Sequence, residues 1–260
     1  MEREMSALAV RRLAGSLLIS LAAFCSQAQA DEQLQASFAA TDSAPSAIAQ
    51  PDAAEPFGLS AVPIASGELV AKWNAIEADI RAENDVLARC SDGAEHCPAA
   101  AQSLLGIIAD GRAHTGRARI GVINRAINLS IRPASDLDQW GVPDHWSAPL
   151  DTLATGRGDC EDYAIAKYVA LTEAGLAPQD VRLVIVRNLA RGEDHAVVAV
   201  RLDGRWIMLD NRWLTLVEDN AMRGVVPLFE LDQNGVRMFA PATLPDDRRT
   251  AAPASYGFSR

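Results

Sequence analysis

Cys160, His195 and Asp210 are a nucleophile, a base and a carboxylate, and the sequence around them reads as one helix followed by two strands. Cys160 opens a segment running to Ala174 that has the character of a helix. Asp159 is its natural N-cap and Gly175 is well placed to end it. His195 starts the apolar run Ala196 to Val200, and Asp210 ends the next one, Trp206 to Leu209. Asp203-Gly204 between the two runs is a hairpin-turn signal. A thiol at a helix N-terminus faces unpaired N–H groups and the positive end of the helix dipole, both of which stabilise thiolate. Adjacent hairpin strands can set His195 beside Asp210, so that the carboxylate fixes the imidazole tautomer and the imidazole meets the thiol. The backbone N–H of Cys160 is then placed to stabilise an acyl oxyanion. Each residue also has a plain alternative: a small buried thiol, a hydrogen-bonded histidine and a turn aspartate.

The elements that must hold these groups are legible as periodicity. Leu69, Val70, Trp73, Ile76 and Ile80 recur at helical spacing, and further helices are predicted over Ala99 to Asp110 and Gly116 to Ser130. A Trp- and Pro-containing connection, Arg132 to Arg157, leads to Gly158 and the nucleophile helix. After Pro178 the pattern turns to strands: Val181 to Val186, the two runs flanking Asp203-Gly204, then Val226 to Phe229 and Val236 to Phe239. Helices followed by antiparallel strands predict an α+β domain over residues 67–240 with one good core. Residues 1–30 read as an export signal: Arg11 and Arg12, the apolar run Leu13 to Phe24, then Ala28-Gln29-Ala30 as a cleavage pattern. Residues 31–66, rich in Ala, Ser and Pro, read as a flexible linker, and 241–260 as a polar tail.

The formal charge is −10, and removing the signal leaves about −11, which argues against nucleic acid or anionic lipid as a general partner. No other stretch is long enough to cross a membrane, so the exported chain is expected to be soluble. Three cysteines remain beyond the signal. Cys90 and Cys97 are close enough to close a small disulfide loop in an oxidising compartment. A metal site from Cys90, Cys97 and His96 is the alternative, although it lacks a clear fourth ligand. Cys160 is left as an unpaired thiol.

The segment from Asp138 to Trp213 resembles the bacterial transglutaminase-like cysteine peptidases. The matching pieces, in family order, are His145-Trp146, the approach from Pro149 to Gly158, GDCEDYAIAKYVALTEAGL, DHAVVAV and WIMLDNRW. The Cys90/Cys97 pair resembles family members too. The resemblance implies a papain/transglutaminase-like α+β fold, with N-terminal helices and an antiparallel sheet packed on the nucleophile helix. It implies Cys160 as nucleophile, His195 as general base and Asp210 as orienting carboxylate in a periplasmic enzyme. It also implies calcium (Ca²⁺) held beside the nucleophile by Asp159, Glu161 and Asp162, whose hard oxygens suit that ion. Acidic neighbours raise a thiol pKa and bound calcium would offset them, so calcium-dependent activity is expected. The family's adhesin-processing members imply a protein substrate, a biofilm adhesin, and an inner-membrane receptor as regulator. An acyltransferase using the same triad is one alternative, and a non-catalytic binding module of the same fold is another. Trp146 is read as lining a substrate groove or partner face, or as a core aromatic. Lys167 and Tyr163 are assigned to helix packing and surface.

Overall fold

The computed structural model describes residues 55–93 and 96–240. The expected export signal, the expected linker up to residue 54 and the expected polar tail lie outside these residues. In chain order the regular elements are β1 (Ala61–Pro63), α1 (Glu68–Ser91), α2 (Ala99–Arg112), α3 (Gly116–Ser130), β2 (Arg132–Pro133), α4 (Asp136–Trp140) and α5 (Pro149–Thr155). There follow β3 (Arg157–Gly158), α6 (Cys160–Glu173), β4 (Val181–Asn188), β5 (Glu193–Leu202), β6 (Arg205–Leu209), β7 (Val217–Glu218), β8 (Val225–Asp232) and β9 (Gly235–Phe239). This is the expected α+β architecture.

Helix α6 has no solvent-facing stripe along its middle: its residues from Asp162 to Leu171 are buried without interruption, Asp162 and Lys167 included. A helix of that kind is stable only when covered on every side. Here α2, α3 and α5 cover one side, and β4 and β5 the other. The sheet has seven strands in the order β1-β9-β8-β4-β5-β6-β7, and every pairing in it is antiparallel. Its central strands carry near-continuous apolar runs because both faces are buried. Leu183, Val198 and Val200 face the helices, while Val184, Val197 and Ala199 belong to a second, smaller core on the far face. The β5–β6 hairpin turns at Asp203-Gly204, both with positive φ (51° and 76°), as the Asp-Gly pair predicts.

That far-face core corrects the linker reading at its C-terminal end. Residues 55–66 include a 3₁₀ turn at Pro56–Gly58 and the edge strand β1, not a featureless linker. Phe57 and Leu59 pack onto the smaller core, and Phe57 meets Phe239 edge-on at 6.2 Å. Glu55 pairs with Arg182 and Arg237.

Cys90 and Cys97 form a disulfide between the end of α1 and the start of α2, which removes the alternative metal site. The closed loop is short, with a sequence separation of 7. Replacing both cysteines by alanine is expected to cost about 2–3 kcal/mol through loop entropy of the unfolded chain. The fall should appear in a denaturant midpoint, with the alkylation rate of Cys160 unchanged.

Candidate active site

Cys160 is the first residue of α6. Two short pairings set its approach. β2 and β3 run parallel, Arg132 opposite Arg157 and Pro133 opposite Gly158. Tyr163 donates its hydroxyl to the Ile131 carbonyl at 2.6 Å, tying α6 to the end of α3. Asp159 caps the helix in a capping-box arrangement with Asp162, whose Oδ2 accepts the Asp159 N–H at 3.4 Å. As the first two helical residues, Cys160 and Glu161 have backbone N–H groups with no acceptor inside the helix.

His195 lies in β5 opposite Val186, and Asp210 follows the last residue of β6; both are buried. His195 Nε2 and Asp210 Oδ1 are 3.0 Å apart. The same oxygen accepts the Arg212 backbone N–H at 2.9 Å. Burial works to raise the Asp210 pKa, but the His195 hydrogen bond and charge, with Arg212, outweigh it and hold the carboxyl at about 2. An ionised carboxylate only accepts hydrogen bonds, so Nε2 carries the proton and Nδ1 is left as the basic nitrogen. Asn128 on α3 holds the loop behind this pair by donating to the carbonyls of Asp210 and Trp213, each at 3.1 Å.

Cys160 and His195 line one cleft of about 170 Å³, with Asn211 and Arg212 on its wall. The thiol does not behave as a helix terminus alone would make it. It donates to Glu161 Oε2 at 2.9 Å. Burial, then the charge and hydrogen bond of Glu161, push its pKa far above the ordinary thiol range. The Ala196 backbone N–H pulls it back, without offsetting them. Burial first, and Glu161 after it, therefore favour the protonated thiol, against what a helix terminus alone would do.

The acidic collar beside the thiol is built from more than the three expected residues. Ligand atoms of Asp159, Cys160 and Glu161 lie within 4.8 Å of one another, and so do those of Asp136, Asp159 and Asp162. Asp159 is common to both sets. Burial, then Glu161, Asp136 and Asp162, raise its pKa to about 9, and its buried Oδ1 has no hydrogen-bond partner. Asp162 is fully buried and raised to about 7, first by burial, against the Ser147 N–H that its Oδ1 accepts at 2.8 Å. Burial raises Asp136 as well, and it accepts the His145 N–H. Like-charged carboxylates crowded around an orphaned oxygen fit a divalent cation, whose hard-ligand preference the donor set matches. Asp162 already spends both oxygens on backbone N–H groups, so it is the least free of the donors.

Sequence reasoning missed Asp136, Asn128 and Arg212. Ser135 accepts the Asp138 N–H as the N-cap of α4, so a capping signal could have located that helix but not the role of Asp136. Lys167, assigned to packing and surface, is 1% exposed, with its ammonium 6.0 Å from the Tyr163 ring centre. Trp146 does two jobs: it packs against the main core and lines a groove beside Glu161.

Residues 86–220, just over half the chain, match the family described as bacterial transglutaminase-like cysteine proteinase (BTLCP). Comparison with curated protein sequences found no match. Among solved structures, LapG of Legionella pneumophila aligns with a TM-score of 0.50 at 18% identity, over 60% of this chain and 86% of that one. An EGTA-treated form of it aligns with a TM-score of 0.50 at 16% identity, over 61% and 89%. A calcium-bound form gives 0.48 at 16% identity, over 72% and 93%. At such identities the first two alignments speak for the fold alone. With the sequence match over the segment that carries Cys160, His195 and Asp210, the chain belongs to the bacterial transglutaminase-like cysteine proteinases and is a cysteine peptidase.

Proposed function

We propose that Cys160, His195 and Asp210 form the triad of an exported endopeptidase whose thiol is released for reaction by calcium. The observation that carries this reading is the His195–Asp210 pair, 3.0 Å apart, opening onto the cleft that holds Cys160. His195 Nδ1 takes the thiol proton as Sγ attacks the scissile carbonyl carbon. The carbonyl oxygen gains the negative charge beside the Cys160 N–H. Collapse of that intermediate expels the amine, which takes the proton from His195, and leaves a thioester on Cys160. His195 then deprotonates water, which attacks the thioester carbonyl; the C–S bond breaks, the carboxylic acid product leaves, and the Cys160 sulfur takes the proton back from His195. Asp210 stays ionised throughout and stabilises the imidazolium.

Asp159 and Glu161, with Asp136 and Asp162 behind them, are the residues that would hold calcium. A cation there would supply positive charge offsetting the carboxylates that, with burial, raise the thiol pKa. The family resemblance supports the remaining parts of the reading. These are a periplasmic location, a surface adhesin as protein substrate and an inner-membrane receptor as regulator. Incubating surface proteins with the wild-type chain and with Cys160→Ala, then looking for fragments made only by the former, tests the substrate.

Alkylation of Cys160 by iodoacetamide tests the thiol. Calcium is expected to accelerate it in the wild type. In chelator, Glu161→Gln should react about tenfold faster than wild type, because losing an adjacent negative charge is worth a pK unit or more of thiolate. In calcium the order should reverse, since the variant lacks a ligand. A wild-type rate indifferent to calcium, with no gain in Glu161→Gln, would overturn the calcium reading.

A further inference from the structure

Lys167 is a buried cation on the helix that carries the nucleophile, and the mechanism above leaves it unused. Among the described residues its ammonium makes no hydrogen bond and no ion pair, and the Tyr163 ring is its contact. A methionine would fill similar space without the cost of burying an amine, so packing alone does not account for a lysine here.

The packing of α3 against α6 places that ammonium. The two helices run antiparallel. The Tyr163 hydroxyl reaches Ile131 just past the end of α3, while at the other end a Cβ on Gly111 would touch both Ile123 and Ala174. Lys167, one turn after Tyr163, therefore comes level with the Asn124–Asn128 turn of α3. Helical side chains lean toward the N-terminus, which brings the ammonium back over Tyr163. Asn124 and Asn128 grip the segment after β6 from this side. Asn124 donates to the Leu214 carbonyl at 3.4 Å, and Asn128 to those of Asp210 and Trp213. Each also buries a side-chain oxygen that has no hydrogen-bond partner. The ammonium thus lies along a polar seam beneath the segment that begins with Asp210.

Asp210 is the charged group that acts on it. Burial lowers the Lys167 pKa well below the ordinary lysine range, to about 7, and the Asp210 carboxylate pulls against that. The other buried ionisable groups are engaged elsewhere. Asp136 and Asp162 belong to the acidic collar, Arg182 pairs with Glu230 and Asp232, and His195 is bonded to Asp210 itself. On the elements packed against α6, Arg112, Arg125, Asp151, Arg187 and Asp194 are exposed. Arg119 and Arg201 lie at the far end of α6, by Gly175. Tyr163 stays neutral, its hydroxyl pushed up to about 12 by burial. A positive charge on the inner side of Asp210 takes up part of the carboxylate's field and leaves less of it for an imidazolium on His195. Charged Lys167 therefore disfavours proton transfer from Cys160 to His195, and neutral Lys167 permits it.

We propose that Lys167 is a positioning residue of the triad: its buried charge competes with His195 for Asp210 and restrains transfer of the thiol proton, a restraint that falls away as Lys167 loses its own proton. The proposal rests on the triad reading, and its test separates the two. Alkylation of Cys160 by iodoacetamide is followed by peptide mass spectrometry on the full chain in calcium, at about pH 6 and about pH 9. Lys167→Met is expected to react about threefold faster than wild type at the lower pH and equally fast at the higher, a fraction of the tenfold that one pKa unit represents. Lys167→Arg, whose charge persists, should match wild type at the lower pH and fall about threefold behind at the higher. In the Asp210→Asn background the effect of Lys167→Met should vanish, because Lys167 acts through that carboxylate.

The denaturant midpoint tests the buried charge apart from the triad. A lysine whose pKa is lowered by folding costs the fold most while it is protonated. Lys167→Met should therefore gain most in midpoint at about pH 6, with the gain shrinking toward about pH 10. Equal alkylation of wild type and Lys167→Met at both pH values, in a protein whose alkylation depends on His195, overturns the proposal and leaves the triad standing. Alkylation that His195→Ala does not slow sinks the triad reading and the proposal with it. Lys167→Met slower by one factor at both pH values, with a lowered midpoint, makes Lys167 a packing residue only.

Discussion

Cys160→Ala and His195→Ala are each expected to lower peptide-bond cleavage by about 10⁴-fold or more, and the double variant to be no slower than the worse single. The saturation follows from the mechanism. In the proposed mechanism the imidazole removes the thiol proton, and that proton is held by burial and by Glu161. Without His195 the thiol stays protonated, and without the thiol the imidazole has nothing to activate. Whatever rate survives comes from binding and from the N–H groups at the start of α6, which neither substitution touches. Asp210→Asn should fall in the same range for a different reason. Its Oδ1 accepts from both His195 and the Arg212 backbone, and a neutral amide can satisfy that geometry while no longer stabilising the imidazolium. The measurement is the rate of fragment formation from one cleaved protein or peptide, with the fold of each variant checked by its denaturant midpoint. Multiplying losses in the double variant, or cleavage by Cys160→Ala at the wild-type rate, would show that these residues do not act as a unit.

Most of what positions the site follows from patterns within a few residues. Cys160 to Glu173 is recognisable as a helix because a cap, a largely apolar body and a glycine stop occur in order, and the β5–β6 hairpin because Asp-Gly sits between two apolar runs. The parts that were not legible depend on distant partners. Phe57 and Leu59 look like isolated apolar residues in a polar stretch until the far face of the sheet exists to receive them. Asp136 sits 23 positions before Asp159 and joins it only because β2–β3 pairing folds the connection back onto the start of α6. That acidic neighbours raise the Cys160 pKa was expected from the sequence; the contribution of burial and the direction in which the Glu161 carboxylate points were not. A sequence can mark a carboxylate as adjacent without saying whether it faces the thiol. The short helices α4 and α5 were hidden in the connection because five and seven residues are too few to set a period.

Gly158→Ala is expected to disable the enzyme without altering any group that does chemistry. A Cβ built on Gly158 would lie 2.6 Å from Asp162 Oδ2 and 2.7 Å from Asp162 Cβ, closer than such contacts allow. Neither partner has room to retreat. Asp162 is fully buried, with its oxygens accepting from Ser147 and Asp159. Gly158 is fixed in register opposite Pro133, and its carbonyl accepts the Ala134 N–H at 3.0 Å. The strain therefore passes to the turn between them, which is the cap of α6 and carries Cys160. Overpacking of this kind costs about 1–3 kcal/mol. A displacement of the nucleophile by about 1 Å would add on the order of a 10²-fold loss in cleavage. Gly156→Ala, two residues earlier, is the control. Its φ of 62° makes alanine unfavourable there, but the nearest atom to its new Cβ is 3.8 Å away, so it brings conformational cost without a clash. Gly156→Ala should lower the denaturant midpoint while leaving the alkylation rate of Cys160 intact, whereas Gly158→Ala should lower both. Equal loss of alkylation in the two variants would mean that global destabilisation, not the contact with Asp162, controls the thiol. An unchanged midpoint and unchanged alkylation in Gly158→Ala would show that the helix cap yields freely, and that Asp162 does not hold the nucleophile in place.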